Sequence, residues 1–176
     1  MTPESVLALR DLLCEMLARE MQITQAVIAA VPEYGRDFRH EPRARTAFEL
    51  AWHIASSQVF FLDAIAGGGF DFERARSRGA APPPAFRDVV LWLAENGAAG
   101  LERVRALPAE ALLQPIFFKP GNMTLPAWRF LLIANSHAIH HRGQLSTCLR
   151  PLGARVPAIY GESADSAPPA PRPAAG

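Results

Sequence analysis

The chain has 176 residues, of which 49% are apolar, so it is long enough to form one domain with a substantial core. Its 18 Lys and Arg residues nearly balance 17 Asp and Glu residues, and the net charge of +1 gives no electrostatic case for binding nucleic acid or a membrane surface. The two cysteines, Cys14 and Cys148, are too few for a disulfide framework. Neither a signal-peptide pattern nor an apolar run of the length that spans a membrane is present. We therefore expect a reduced cytoplasmic protein.

The first two predicted helices have clear boundaries. Residues 3–31 carry apolar side chains at the three-and-four spacing of a half-buried helix, which ends before Pro32. Residues 46–66 form the second predicted helix, in which Thr46 and Glu49 match the capping-box pattern and three consecutive glycines follow the end.

The third predicted helix spans residues 85–107, after a loop with three consecutive prolines. Gly97 and Gly100 weaken this prediction, because glycine inside a helix costs about 1 kcal/mol relative to alanine. Residues 108–122 are expected to form an ordered connector rather than a helix, and no segment of the chain has a convincing strand pattern.

The fourth predicted helix spans residues 124–152, with Thr124 as its cap and Pro126 in its first turn. Four helices of this length predict an all-α fold, an antiparallel four-helix bundle, in a single domain over residues 1–161. The alternative is a helical domain that completes its core only by pairing with a second copy. Residues 162–176 are rich in Ala and Pro, and we expect them to form a disordered tail.

Helical wheels separate the histidines by the faces they occupy. His137 and His141 lie one turn apart at the margin of the apolar stripe of the fourth helix, whereas His140 falls on the polar side. On the second helix, His53 lies among apolar neighbours, with Ser57 as the only polar residue in its sector. Two helices are thus predicted to direct three imidazoles inward.

Three inward imidazoles need partners, because an unpaired buried polar group costs about 1–3 kcal/mol. A divalent metal ion would satisfy all three, and histidines one turn apart on a helix suit its coordination geometry. The alternative is that they are hydrogen-bonded core residues, and the spacing alone leaves both interpretations open. A zinc-protease motif is disfavoured, since no glutamate follows the first histidine of the pair.

Two segments carry a resemblance to a known family: FRHEPRARTAFELAWHIASSQVFFLDAI and HAIHHRGQLSTCLRPLGARVPAIYG. They resemble the DinB-like, or damage-inducible, superfamily, which includes YfiT-type thiol transferases and the mycothiol-dependent maleylpyruvate isomerase. The resemblance extends over residues 6–161. It implies a four-helix bundle, a homodimer and a three-histidine centre for nickel or zinc. The ligand pattern of the family maps onto His53, His137 and His141, with His140 as a non-ligand.

Several other residues are candidates for supporting roles. Gln144 lies near the ligand stripe, where it would contact a bound molecule or make an interhelical hydrogen bond. Tyr160 would either fold back over the site or have only a packing role as an aromatic side chain. Arg142 suits either a salt bridge or an anionic substrate. Trp52 and Trp128 fall away from the ligands and are expected to serve core or dimer packing.

These features favour a metal-dependent enzyme that acts on a small-molecule substrate. Three protein ligands leave a coordination position open, which suits a thiol S-transferase using a low-molecular-weight thiol, or a hydrolase. The alternative is a non-catalytic stress or interaction protein in which the ion ties helices together. A DNA-binding role, suggested by the name of the family, lacks a basic stripe to support it.

Overall fold

A computed structural model describes residues 1–166. Within them, the helices are α1 (Pro3–Ala29), α2 (Ala47–Gly67), α3 (Phe72–Gly79), α4 (Phe86–Arg105), α5 (Ala109–Leu113) and α6 (Ala127–Leu149), and the strands are β1 (Pro115–Phe118) and β2 (Met123–Pro126). The predicted all-α bundle is confirmed. None of the described helices is both long enough and apolar enough to cross a membrane. Of the predicted disordered tail, residues 167–176 lie outside the described range.

The four long helices pack in a square in which α1 and α2 each contact α4 and α6. α1 runs antiparallel to α4, because Arg10 donates a hydrogen bond to the carbonyl oxygen of Leu107 while Met21 lies against Gly97. α2 runs antiparallel to α6, because His53 lies against His141 while Phe61, later in α2, lies against His137, earlier in α6. The other two neighbouring pairs run parallel, and their side chains fill one main core.

The termini of α2 follow from its sequence. The Thr46 side chain accepts a hydrogen bond from the Glu49 N–H at 3.1 Å, and the Glu49 carboxylate accepts one from the Thr46 N–H at 2.8 Å. This reciprocal pair is the predicted capping box. At the other end, Gly68 has φ 72°, a left-handed conformation that glycine adopts at little cost.

The glycines of α4 allow close helix packing. A Cβ atom added at Gly100 would lie 3.0 Å from the Cβ atom of Leu62 on α2, and one added at Gly97 would lie 2.5 Å from the sulfur of Met21 on α1. α4 is therefore helical through both positions, since the packing that they permit outweighs their low helix propensity.

The expectation that the chain has no strand was wrong. β1 and β2 form an antiparallel hairpin in which Ile116 pairs with Leu125, and Asn122 closes the turn with a positive φ of 44°. Thr124 does not cap α6, because it lies in β2. The residue before a proline favours extended backbone, so Pro126 keeps the chain extended until α6 begins at Ala127.

The structure also differs from the sequence prediction at two short helices: α3 lies in the segment expected to be a loop, and α5 lies in the connector over residues 108–122, which was expected not to be helical. Asp71 caps the eight-residue helix α3, and none of its residues is buried. Aromatic rings attach it and the hairpin to the bundle: Phe72 and Phe118 both lie against Phe70, which in turn packs on Phe130 of α6. These short elements therefore cover the bundle at the end of α2 that carries Phe61.

Candidate metal centre

Three imidazoles converge between α2 and α6. His53 comes from α2, and His137 and His141 come from successive turns of α6. One nitrogen of each ring lies within 4.8 Å of the others. The Nε2 atoms of His53 and His141 are 3.2 Å apart. All three side chains are half-buried, so the structure brings the predicted trio together in a partly shielded place.

In His141 and His53, Nδ1 has a hydrogen-bond partner outside the cluster, and Nε2 remains available inside it. Nδ1 of His141 lies 2.7 Å from the amide oxygen of Gln144, and Nδ1 of His53 lies 3.4 Å from the hydroxyl of Ser57. When an imidazole donates from Nδ1, its Nε2 carries the lone pair. Metal-bound histidines commonly have such an arrangement, in which an outer partner fixes the tautomer.

One pair of the trio has the spacing of two ligands of one divalent ion, and the third histidine has a nitrogen within 4.8 Å of them. With metal–nitrogen distances of about 2.0–2.1 Å, two ligands of one octahedral or tetrahedral ion lie about 2.8–3.4 Å apart. The observed separation of 3.2 Å between the Nε2 atoms of His53 and His141 falls in that range. In addition, Nδ1 of His137 is buried and has no hydrogen-bond partner among the described residues. The donor set, three neutral nitrogens, suits nickel and zinc alike.

Burial keeps the three imidazoles uncharged. It lowers the pKa of His53 to about 3 and that of His137 to about 4, and it also lowers the pKa of His141. The positive charge of Arg45 adds to the shift at each ring. At neutral pH all three imidazoles are therefore deprotonated, which is the form that binds metal.

His140 is not part of the cluster. Its side chain is exposed, as the wheel predicted, and its Nε2 atom lies 3.2 Å from the amide nitrogen of Gln144. Gln144 thus lies between the two histidines and orients His141 from the solvent side. This contact is within α6, not between helices.

A cavity of about 560 Å³ adjoins the cluster through His141. It lies between α6 and the connector before α2, and it is lined by His40, Arg43, Ala44, Arg45, Leu50, His141, Gly143, Gln144, Thr147 and Cys148. Burial raises the pKa of the Cys148 thiol, so this side chain is protonated at neutral pH and is a poor nucleophile.

Tyr160 and Arg142 belong to a separate network. The Arg142 guanidinium lies 2.5 Å from the Glu20 carboxylate and donates to the Tyr160 hydroxyl at 2.6 Å. The Tyr160 hydroxyl in turn donates to Glu20 at 2.9 Å. Neither Tyr160 nor Arg142 lines the cavity. Of the two roles considered for Arg142, the salt bridge is the one observed, and it ties the segment after α6 to α1.

The tryptophans take packing positions. Trp52 is buried and lies edge-on to Trp92 of α4, with ring centroids 4.8 Å apart. Trp128 is partly buried against a small second cluster that contains Val6 and Leu112. Of the two roles expected for these tryptophans, core or dimer packing, the observed contacts are packing within the chain.

The sequence analysis did not identify two groups, one in the separate network of Arg142 and one at the cavity. Glu20 lies on the apolar face of α1, three residues after Leu17, and an acid on such a face is a signal of a buried partner. The cavity arginines were also missed. Residues 33–45 contain four arginines directly before the helix that carries His53, and this density was the available signal.

Comparison with known proteins identifies the family. A family model described as the DinB superfamily matches residues 16–145. The chain belongs to the DinB superfamily. A comparison with curated proteins gives no match.

Solved structures share the fold. A DinB-like protein from Bacillus cereus aligns with a TM-score of 0.70 at 21% identity, covering 84% of this chain and 95% of the other. A DinB-like protein from Bacillus subtilis aligns with a TM-score of 0.69 at 17% identity, covering 85% of this chain and 99% of the other. At these identities the likeness concerns the fold alone.

Proposed function

We propose that this DinB superfamily member is a metal-dependent enzyme, a thiol S-transferase or a hydrolase, that acts on a small molecule. His53, His137 and His141 would hold the divalent ion. The observation that carries the proposal is the convergence of three neutral imidazoles, two of them 3.2 Å apart, beside a cavity of about 560 Å³. A site with three protein ligands and adjoining space is the arrangement of catalytic rather than structural metal sites.

Individual residues have specific roles in the proposed reaction. A bound divalent ion would lower the pKa of a coordinated water or thiol, and this would provide a nucleophile at neutral pH. Gln144 accepts from Nδ1 of His141 and so holds that ring in one orientation and one tautomer. Leu50 and Ala44 form an apolar part of the cavity wall, against which the apolar part of a small molecule would pack.

A test of the coordination shell distinguishes a catalytic metal site from a purely structural one. Cobalt(II) replaces zinc or nickel in such sites and reports its ligands by visible absorption. Addition of a small thiol to the cobalt-loaded protein should change the spectrum, because the thiol enters an open position. A spectrum that no thiol or small anion alters would show a closed coordination shell and would contradict the catalytic assignment.

Turnover is the second test. The zinc- or nickel-loaded protein is assayed with low-molecular-weight thiols and electrophiles, and with small ester and amide substrates. Activity should disappear in the His137→Ala, His141→Ala double variant and persist in His140→Ala, whose side chain is outside the cluster. Activity that survives in the double variant, with the ion absent, would refute a metal-dependent reaction.

A further inference from the structure

Hydrogen bonds connect the segments that form the two sides of the cavity beside the candidate metal centre. One side is α6, through Gln144 and Thr147, and the opposite side is the connector before α2. The Ala47 N–H donates to the carbonyl oxygen of Phe38 at 2.8 Å, which closes the connector onto the start of α2. His40 Nε2 lies 3.0 Å from the Thr147 hydroxyl and links the connector to α6. The volume, about 560 Å³, is within the usual range of small-molecule sites.

The connector contributes two arginines without ionic partners. Arg43 and Arg45 both line the cavity, and neither forms an ion pair within residues 1–166. The nearby carboxylate of Glu49 is engaged with the N–H of Thr46 in the capping box. Both residues are exposed, and no acid is among the residues that line the cavity, so the two guanidinium groups are suited to bind an anion.

The arginines and the histidine cluster share this cavity. Arg43 and Arg45 line it together with His141, one of the three clustered histidines. An anion held by the arginines would therefore lie close to the cluster.

The remainder of the cavity wall is mainly apolar. Ala44, Leu50 and Cys148 line it, and the Cys148 thiol is protonated at neutral pH because burial raises its pKa. The wall thus adds no negative charge that would compete with an anion. A ligand that matches both parts has an anionic group on an apolar body.

We infer that this cavity binds the carboxylate of a small organic substrate, with the carboxylate at Arg43 and Arg45 and the apolar body against Leu50 and Cys148. This inference names the substrate class of the proposed enzyme and rests on that proposal. It predicts that the protein binds a carboxylate more tightly than an uncharged analogue, and this preference can be measured without a reaction.

Calorimetry with benzoate and with benzamide, its uncharged analogue of similar shape, tests the inference. The wild-type protein should bind benzoate at least about tenfold more tightly than benzamide, as expected for a charge-assisted contact. The Arg43→Gln, Arg45→Gln double variant should lose this preference. Arg87→Gln is the matched control, because the Arg87 side chain is 85% exposed on α4 and does not line the cavity.

The measurement is made on metal-loaded protein and again after chelation, because a carboxylate can also bind a metal ion directly. Benzoate preference that survives chelation but is lost in the double arginine variant supports the inference. Preference that the double variant retains, or that requires the metal alone, overturns it, as does equal binding of benzoate and benzamide. The metal content of each sample is measured separately. A protein that binds benzoate through the arginines but takes up no metal would therefore contradict the proposed function and leave the carboxylate site intact.

Discussion

Nδ1 of His141 and the amide oxygen of Gln144 lie 2.7 Å apart, one turn along α6. The contact fixes Nδ1 as the protonated nitrogen and directs the Nε2 lone pair toward His53. Gln144 therefore orients His141, and we propose it as a positioning residue for the candidate metal centre.

Replacing Gln144 with leucine should weaken zinc binding by about 10- to 100-fold, the usual effect of losing an outer partner of a metal-bound histidine. Competition with a chromophoric chelator measures the affinity. Gln144→Glu retains an oxygen acceptor for Nδ1 and should bind zinc more tightly than Gln144→Leu. Equal affinity in wild-type protein and Gln144→Leu would show that the contact does not organise the site.

Acidification should destabilise the metal-free protein from about pH 6.5 downward. The pKa of His53 is lowered from 6.5 to about 3 and that of His137 from 6.5 to about 4. At a pH between 6.5 and these lowered values, both histidines are protonated in the unfolded chain but neutral in the folded chain. Stability contributed by the neutral rings is present above pH 6.5 and is lost as the pH falls toward the folded-state values. Urea unfolding at several pH values, with a chelator present, measures this loss.

The control for the pH dependence is the His53→Gln, His137→Gln variant. Without the two rings of lowest pKa, its stability should decline less steeply between pH 6.5 and 4 than that of the wild-type protein. Parallel curves for the two proteins would assign the acid sensitivity to other groups.

The buried pair of Glu20 and Arg142 should contribute strongly to stability when one partner is removed. The side chains are 11% and 2% exposed, and Glu20→Gln leaves the arginine charge without its counterion. We expect a loss of about 3 kcal/mol in the free energy of unfolding, measured by urea denaturation. The comparison is Glu102→Gln, which removes the partner of Arg105 in an exposed pair and should cost less than about 0.5 kcal/mol. Similar losses in both variants would mean that the buried pair has no special role.

Gly100→Ala should destabilise the protein by about 1 kcal/mol, although alanine is the better helix former. The added methyl group would meet Cβ of Leu62 at 3.0 Å, and an atom so close to the backbone moves only if α2 and α4 separate. Gly143→Ala on α6 is the matched control, because nothing lies within 4 Å of its added Cβ. That variant should be more stable by about 0.5–1 kcal/mol. A stabilising effect at both glycines would argue against tight α2–α4 packing.

The long helices were predictable because each has many periodic positions and recognisable ends. The capping box of Thr46 and Glu49 located the start of α2 to within one residue. Short elements offered no such signal. α3 has eight residues and no buried side chain, so no apolar periodicity marks it. The hairpin depends on tertiary packing of Phe118 against Phe70 and Phe130, which no local pattern reveals.

The candidate site was predictable in part for the same reason. His53, His137 and His141 are on long helices, where the wheel fixes the direction of each side chain. The cavity arginines are on an irregular connector, where residue spacing does not determine direction. Their meeting with α6 depends on contacts such as that between His40 and Thr147, which are distant in the sequence.

Metal stoichiometry is the most direct measurement of the central claim. Purified wild-type protein, stripped and then titrated with zinc or nickel, should bind about one ion per chain. The His137→Ala, His141→Ala double variant should bind none tightly, and His140→Ala should bind as the wild-type protein does. Equal binding by the wild-type protein and the double variant, or loss of binding in His140→Ala alone, would contradict a centre built from His53, His137 and His141.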